Sequence, residues 1–136
     1  MSAVKLEDAR RIIAACEKKA KEIGQPMNIA VADEGGNIVA HVRMDNAWIG
    51  SIDISMKKAY TARTFRRSSG DFANSVKGNA TAGALFLTNI VAAQGALPIK
   101  VGDDVIGAIG VSGAPGGDKD EACAKAGLDK VSADLK

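Results

Sequence analysis

The sequence predicts one α+β domain over residues 1–136, with helices covering an antiparallel sheet of about five strands. Two observations lead to this prediction. Apolar residues recur at spacings of three and four near both ends of the chain, which is typical of amphipathic helices. Between these helices, short apolar segments are joined by glycine-containing turns, which favour hairpins and therefore antiparallel pairing.

The first helix is predicted to span Leu6–Ile23, and it ends where Gly24 can accept a left-handed C-cap. A hairpin follows, with strands over Met27–Asp33 and Ile38–Met44 and a Gly-Gly turn between them. Alternation along the second strand predicts two faces. One face carries Ile38, Ala40, Val42 and Met44, and the other carries Val39, His41 and Arg43.

The middle of the chain predicts a long helix over Ser51–Arg66 and a short one from Ser69 to Val76. A loop of small polar residues is predicted over Lys77–Ala84, and Ile90–Ala93 is predicted as a strand. The predicted apolar stripe of the long helix consists of Ile52, Met56, Ala59 and Tyr60.

A second hairpin is predicted near the C-terminus, with strands over Pro98–Val101 and Val105–Val111. Gly107 and Gly110 lie inside the last strand, where glycine is unfavourable unless another group approaches closely. A helix or a ligand is therefore expected to pack there. The last helix is predicted to begin at Asp118 with a capping box to Glu121.

Composition excludes several classes of protein. No apolar run approaches the roughly 20 residues that span a bilayer, and the N-terminal segment is charged throughout, unlike a signal peptide. The net charge of +2 and the few aromatic residues argue against a nucleic-acid platform. Cys16 and Cys123 are expected to be buried free thiols in a reducing cytosol, and the single histidine excludes a multi-histidine metal site. The sequence therefore predicts a cytoplasmic protein without a metal site or a membrane partner.

Three features could carry chemistry. Arg43 and Asp45 lie two apart at the end of a strand, either as a local ion pair or with Arg43 free to grip a ligand carboxylate. Backbone N–H groups near Ser112 and Gly113 could bind an anion, or the glycines could serve only the turn. Between Ile54 and Gly70 there are five basic residues and no acidic residue. They form either a solvated face or an electropositive rim for an anion. They are Lys57, Lys58, Arg63, Arg66 and Arg67.

Several blocks of sequence resemble the GlcG/HbpS-like family, which includes the C-terminal domain of PduO proteins and is often labelled haem-degrading or haem-binding. The blocks occur in the family's order and cover roughly residues 5 to 135. They are Val31–Asn37, Arg43–Ala47, Ser51–Ile54, Lys58–Ala62, Leu87–Asn89, Gly95–Ile99 and Val105–Gly113.

The resemblance implies a profilin-like α/β/α sandwich, in which a five-stranded antiparallel sheet has helices on both sides. It also implies homo-oligomers, in which dimers build into tetramers or octamers. For function, it implies a protein that binds haem or a related small anionic ligand and is accessory to a catabolic operon. The cofactor-binding candidates are then His41, Arg43, Met44, Ser112 and Gly113. His41 is the sole imidazole available to haem iron, and Met44 is a candidate sulfur ligand, although both residue types more often have structural roles.

Two other hypotheses stay open. The chain could be a metal-free isomerase or lyase acting on a metabolite with a carboxylate or carbonyl group. Arg43 would then bind the anion, and Asp45 or Lys58 would act as acid or base. The third hypothesis is an interaction protein whose assembly is its purpose.

Overall fold

A computed structural model describes residues 3–77 and 82–135. In chain order, the elements are α1 (Leu6–Ile23), β1 (Asn28–Ala32), β2 (Ile38–Arg43), α2 (Gly50–Phe65), α3 (Ser69–Lys77), a 3-10 helix (Ala82–Phe86), β3 (Ala96–Val101), β4 (Asp104–Ser112) and α4 (Gly117–Val131). The strands form one antiparallel sheet in the order β2-β1-β4-β3. The predicted α+β class is confirmed.

The prediction of five strands is wrong, because the described residues contain four. Ile90–Ala93 is not a strand. The backbone N–H of Val91 donates to the Thr61 hydroxyl of α2 at 3.0 Å, so this segment is tied to a helix instead of a neighbouring strand. Of the loop predicted over Lys77–Ala84, residues 78–81 lie outside the described part; Lys77 ends α3 and Ala82 begins the 3-10 helix.

Helices lie on both faces of the sheet, as expected. α1 and α4 pack against each other and over one face, where Ile29, Val31 and Ile109 belong to the main hydrophobic core. α2 packs against the other face. The second core on that side is built from alanines: Ala32, Ala59, Ala62, Ala96 and Ala108.

The predicted apolar stripe of α2 is not its buried face. Of the four predicted positions, only Ala59 is fully buried. The buried face instead carries small and polar residues: Ser51, Ser55, Lys58, Ala59, Thr61 and Ala62. The reason is the close approach of β4, since a Cβ atom on Gly110 would lie 2.1 Å from the Ser55 carbonyl oxygen. The sequence predicts that a helix or a ligand packs closely at Gly110, and in the structure the helix α2 does so.

A bulge shifts the predicted faces of β2. Val31 pairs with Ala40, but the next pair joins Ala32 to Ile38, so Val39 is an extra residue. Val39 therefore packs against the main core with Ala40, whereas Ile38 is 39% exposed. The predicted capping box of α4 is also wrong, because its N-cap is Gly116 and makes no side-chain capping bond.

The two cysteines are free and fully buried in the main core, as predicted. Burial raises the pKa of the Cys16 thiol, which disfavours the reactive thiolate. We expect Ellman's reagent to label neither thiol in the folded protein and both after unfolding in guanidinium chloride. Rapid labelling of either cysteine without denaturant would contradict this burial.

Candidate functional site

A surface groove runs between α1 and the edge strand β2. It consists of two adjoining cavities of about 450 and 320 Å3, which share Glu17 and Val42 in their walls. The larger cavity extends toward Leu6 and His41, and the smaller one ends at Asp45. We call the two cavities together the β2 groove. Two cavities of 590 and 600 Å3 lie elsewhere, but neither is lined by a candidate site residue.

Arg43 and Asp45 lie at the end of the β2 groove, where β2 gives way to a turn. Both residues are exposed, and neither makes an ion pair with any residue that the structure describes. The local ion pair considered from the sequence is therefore not formed. Across the same groove, Lys21 pairs with Glu17 at 3.2 Å. Arg43 thus presents an uncommitted guanidinium, which is well suited to a carboxylate.

Met44 forms part of the wall of this groove and also packs against the main core. Its sulfur accepts the backbone N–H of Met27 at 3.4 Å. The thioether is thus engaged with the first residue before β1. A ligand that coordinated this sulfur would have to compete with that contact.

His41 lies in the middle of β2, opposite Ala30. Its Nε2 atom is buried and has no hydrogen-bond partner within the described residues. Burial lowers the pKa of His41, so the neutral imidazole is favoured.

The titration of His41 provides a test of this burial. The chain has one histidine, so its imidazole proton resonances are unambiguous in an NMR titration. We expect a midpoint below the ordinary pKa of 6.5. Because the unfolded chain then binds the proton at higher pH than the folded chain, the free energy of unfolding should fall as the pH drops below 6.5. His41→Gln should reduce this fall, and a midpoint at or above 6.5 would contradict the prediction.

Ser112 and Gly113 are near Arg43 in the sheet but lie beneath the surface. Asn28 pairs with Arg43 on one side and Ser112 on the other, so the three residues form one row across β2, β1 and β4. The Ser112 hydroxyl donates to Ser51 at 3.2 Å. Gly113 has a φ of +149°, and a Cβ there would lie 2.6 Å from the Pro26 carbonyl oxygen. The glycine thus allows two backbone segments to touch.

Lys58 is removed from the β2 groove and buried at the contact of α2, β4 and α4. Its Nζ donates to the Val111 carbonyl at 3.0 Å and to Asp120 Oδ2 at 3.1 Å. Asp120 Oδ1 accepts the backbone N–H of Ala114 at 2.9 Å. Both side chains of the ion pair are 4% exposed. Burial lowers the pKa of Lys58 and raises that of Asp120, and the attraction between the two charges opposes both shifts.

The basic run of α2 does not form one surface. Lys58 is buried, and Lys57 pairs with Asp53 at 3.0 Å. Arg63 and Arg66 line a separate cavity of about 290 Å3, which Glu34 and Asp104 also line. Arg67 is exposed and lines neither that cavity nor the β2 groove, so the predicted electropositive rim is divided among four environments.

Two residues of this region were not identified from the sequence. Asn28 is a fully buried polar residue in an otherwise apolar strand; its Nδ2 donates to the Trp48 carbonyl, and its Oδ1 has no partner within the described residues. Asp120 lies on the buried stripe of α4, three and four residues before Cys123 and Ala124. An acidic residue on the apolar stripe of a helix indicates a buried ion pair, and this pattern in the sequence could have identified Asp120.

The described residues contain no group of three or more histidine, cysteine, aspartate or glutamate side chains that could hold a metal ion. Within the same part of the chain, no helix has the length and apolar character needed to cross a membrane.

The fold is that of a small α+β domain with helices on both faces of an antiparallel sheet. The chain belongs to the HbpS-like family: the family model described as "Haem degrading protein HbpS-like" matches residues 4–129. The resemblance to GlcG/HbpS-like proteins is thereby confirmed.

Among relatives, an uncharacterized 15.0 kDa protein from the dhaT-dhaS intergenic region of Citrobacter freundii is 40% identical over 116 residues, covering 83% of this chain and 82% of the relative. Protein GlcG of Escherichia coli K12 is 38% identical over 106 residues, covering 76% and 77%.

Solved structures show the same fold. The Klebsiella pneumoniae protein ORFY superposes with a TM-score of 0.90 at 33% identity, covering 98% of this chain and 93% of that one. A structure described as a PduOC:heme complex superposes with a TM-score of 0.85, covering 93% and 94%. Its identity to this chain is 19%, so it supports the fold alone.

Proposed function

We propose that this protein binds haem or a related small ligand with carboxylate groups in the β2 groove, and that Arg43 holds a carboxylate. The observation that carries the proposal is the exposed Arg43 guanidinium, without an ion-pair partner in the described chain, at the end of a groove walled by Val42 and Met44. The family description, which names haem, supports haem as the ligand.

The residues of the groove are better placed to bind the carboxylates of haem than to coordinate its iron. Arg43 is free, whereas His41 Nε2 is buried and the Met44 sulfur is engaged with Met27. Ser112 and Gly113 are buried as well and line neither cavity of the β2 groove. As described, therefore, His41 Nε2 is not exposed to a ligand, and ligation through the Met44 sulfur would compete with its contact to Met27.

A haemin titration followed by the Soret band tests the proposal. We expect saturable binding by the wild-type chain, and Arg43→Ala should raise the Kd by about tenfold or more, because hydrogen bonds to charged groups contribute about 1.5–3 kcal/mol. Arg67→Ala is the matched control, since Arg67 is exposed but does not line the groove. Absence of saturable binding, or equal affinity of Arg43→Ala and wild type, would refute the proposal.

The same titration tests the two predicted iron ligands. His41→Ala and Met44→Ala should leave the Soret position unchanged if haem is held by its carboxylates alone. A shift caused by either substitution would show that the side chain rearranges to ligate the iron. That result would support the sequence-based assignment of that residue.

The enzyme hypothesis stays as an alternative, supported by the exposed and unpaired Arg43 and Asp45 at one end of the groove. Lys58 does not line the groove, so Asp45 is the acid or base that the alternative requires. NMR monitoring of small hydroxy- and keto-carboxylates with the wild type and with Asp45→Asn tests it. Conversion that survives Asp45→Asn would remove this role.

We also propose that the protein forms homo-oligomers and acts in the cytoplasm as an accessory to a catabolic operon. The Citrobacter freundii relative is described by its place between dhaT and dhaS, which supports the operon part of the proposal. Co-transcription of the gene with catabolic enzymes, measured by RNA sequencing, would test it. Expression unrelated to any neighbouring gene would count against it.

A further inference from the structure

Trp48 is the single tryptophan of the chain, and it is exposed although its backbone is held in place. The residue is 58% exposed, whereas the large apolar area of tryptophan usually keeps it mostly buried. The Trp48 carbonyl oxygen accepts the Ser51 backbone N–H at 3.1 Å and Asn28 Nδ2 at 3.0 Å. Because Asn28 and Ser51 are both buried, the structure presents the indole to solvent from an anchored backbone.

Trp48 and Arg43 are neighbours on the α2 side of the sheet. Asn28 pairs with Arg43, and side chains directly opposite in an antiparallel pair share a face, with their Cβ atoms about 4.5–5.5 Å apart. Ser112, on the other side of Asn28, donates to Ser51 of α2, which identifies this face. The Asn28 amide crosses from the sheet to the Trp48 carbonyl, so the Asn28 side chain connects the two residues.

An unpaired cation beside an exposed aromatic ring is suited to a planar anion. Arg43 makes no ion pair with any residue that the structure describes, and its guanidinium can hold a carboxylate through two parallel hydrogen bonds. The face of an indole stacks on other flat conjugated rings. A two-fold contact between copies centred here would instead bring two Arg43 side chains together, which their like charge disfavours. Arg43 and Trp48 together therefore favour a ligand that is both flat and negatively charged.

We propose that Trp48 is the stacking surface for the ligand that Arg43 holds, which makes that ligand a planar conjugated carboxylate. The inference rests on the proposed function for the contact of Arg43 with a carboxylate. Arg43 is the last residue of the edge strand β2 and lines the β2 groove, whereas Trp48 does not line it, so Trp48 extends the site toward α2. Since stacking uses the ring and not the metal, an iron-free porphyrin carboxylate should bind at Trp48 as haem does.

The first test compares the Kd of haemin and of iron-free protoporphyrin IX, each followed by absorbance, for matched variants. Trp48→Ala should raise both Kd values about tenfold, which is the effect expected for the loss of one stacked ring. Trp48→Phe should recover most of the affinity because it restores an aromatic face. Ile49→Ala is the matched control, since Ile49 is the next residue and is 76% exposed but has no ring. It should keep the wild-type Kd.

The second test observes the contact directly in the wild-type chain. One tryptophan gives one indole N–H resonance in a heteronuclear NMR spectrum, so its assignment needs no variant. Protoporphyrin IX should shift this resonance upfield through its ring current, in proportion to the occupancy of the site. A purely structural role of Trp48 would not produce that shift.

The results distinguish failure of the stacking role from failure of the proposed function. A wild type that binds neither porphyrin would overturn both. If the wild type binds them, but Trp48→Ala keeps the wild-type Kd and the indole resonance does not shift, the stacking role alone is overturned and the carboxylate contact of Arg43 stands. Binding of haemin without binding of protoporphyrin IX would show that the iron is required, and it would overturn the stacking role. A Trp48→Ala variant with a changed mass in solution and an unchanged Kd would assign Trp48 to a protein contact instead, with the same consequence.

Discussion

Lys58→Met is expected to lower the free energy of unfolding by about 3–5 kcal/mol. The substitution leaves the Asp120 carboxylate in a site that is 4% exposed, where the hydrogen bond from the Ala114 N–H remains. A buried charge that loses its partner keeps its desolvation cost without the compensating attraction. Urea unfolding followed by circular dichroism measures the effect.

Two control variants identify the cause of this loss. Lys125→Met breaks an ion pair whose side chains are 69% and 61% exposed, and it should change stability by less than about 1 kcal/mol. Replacing both buried partners, as in Lys58→Met with Asp120→Leu, should recover much of the loss because no charge is left unpaired. A double variant as unstable as Lys58→Met would indicate that packing, not the unpaired charge, causes the loss.

Gly110→Ala is expected to cost about 3 kcal/mol, at the upper end of the range for overpacking a core. The added Cβ would lie 2.1 Å from the Ser55 carbonyl oxygen and 2.6 Å from the Ala59 backbone nitrogen. Both atoms belong to the backbone of α2, so the whole helix has to move away from β4. Thermal and urea unfolding should show the loss.

Gly50→Ala is the matched control for Gly110→Ala. Gly50 begins the same helix, and nothing lies within 4 Å of its added Cβ. Stability should stay the same or rise by up to about 1 kcal/mol, because alanine favours a helix. Equal losses at the two positions would show that the approach of α2 to β4 is not what requires glycine at position 110.

The candidate site was predictable where its chemistry is local. Arg43, Met44 and Asp45 follow one another at the end of a strand, and all three line one end of the β2 groove. The role of Lys58 was not predictable in this way. Its partner Asp120 is 62 positions further along the chain, so the contact depends on how α2 and α4 meet at β4. For the glycine loop the sequence left two interpretations open, an anion site or turn chemistry alone, and in the structure the Ala114 N–H of this loop donates to Asp120.

By itself, the sequence determined the elements whose signals are local, because capping, turn geometry and periodicity act over a few residues. The bounds of α1 and the glycine turn between β1 and β2 are examples. Only the tertiary structure decided the buried face of α2 and the loss of a strand at Ile90–Ala93. The physical reason is that both depend on distant partners. The missing Cβ of Gly110 in β4 admits a face of small residues, and the Thr61 hydroxyl of α2 accepts the Val91 N–H of the segment predicted as a strand.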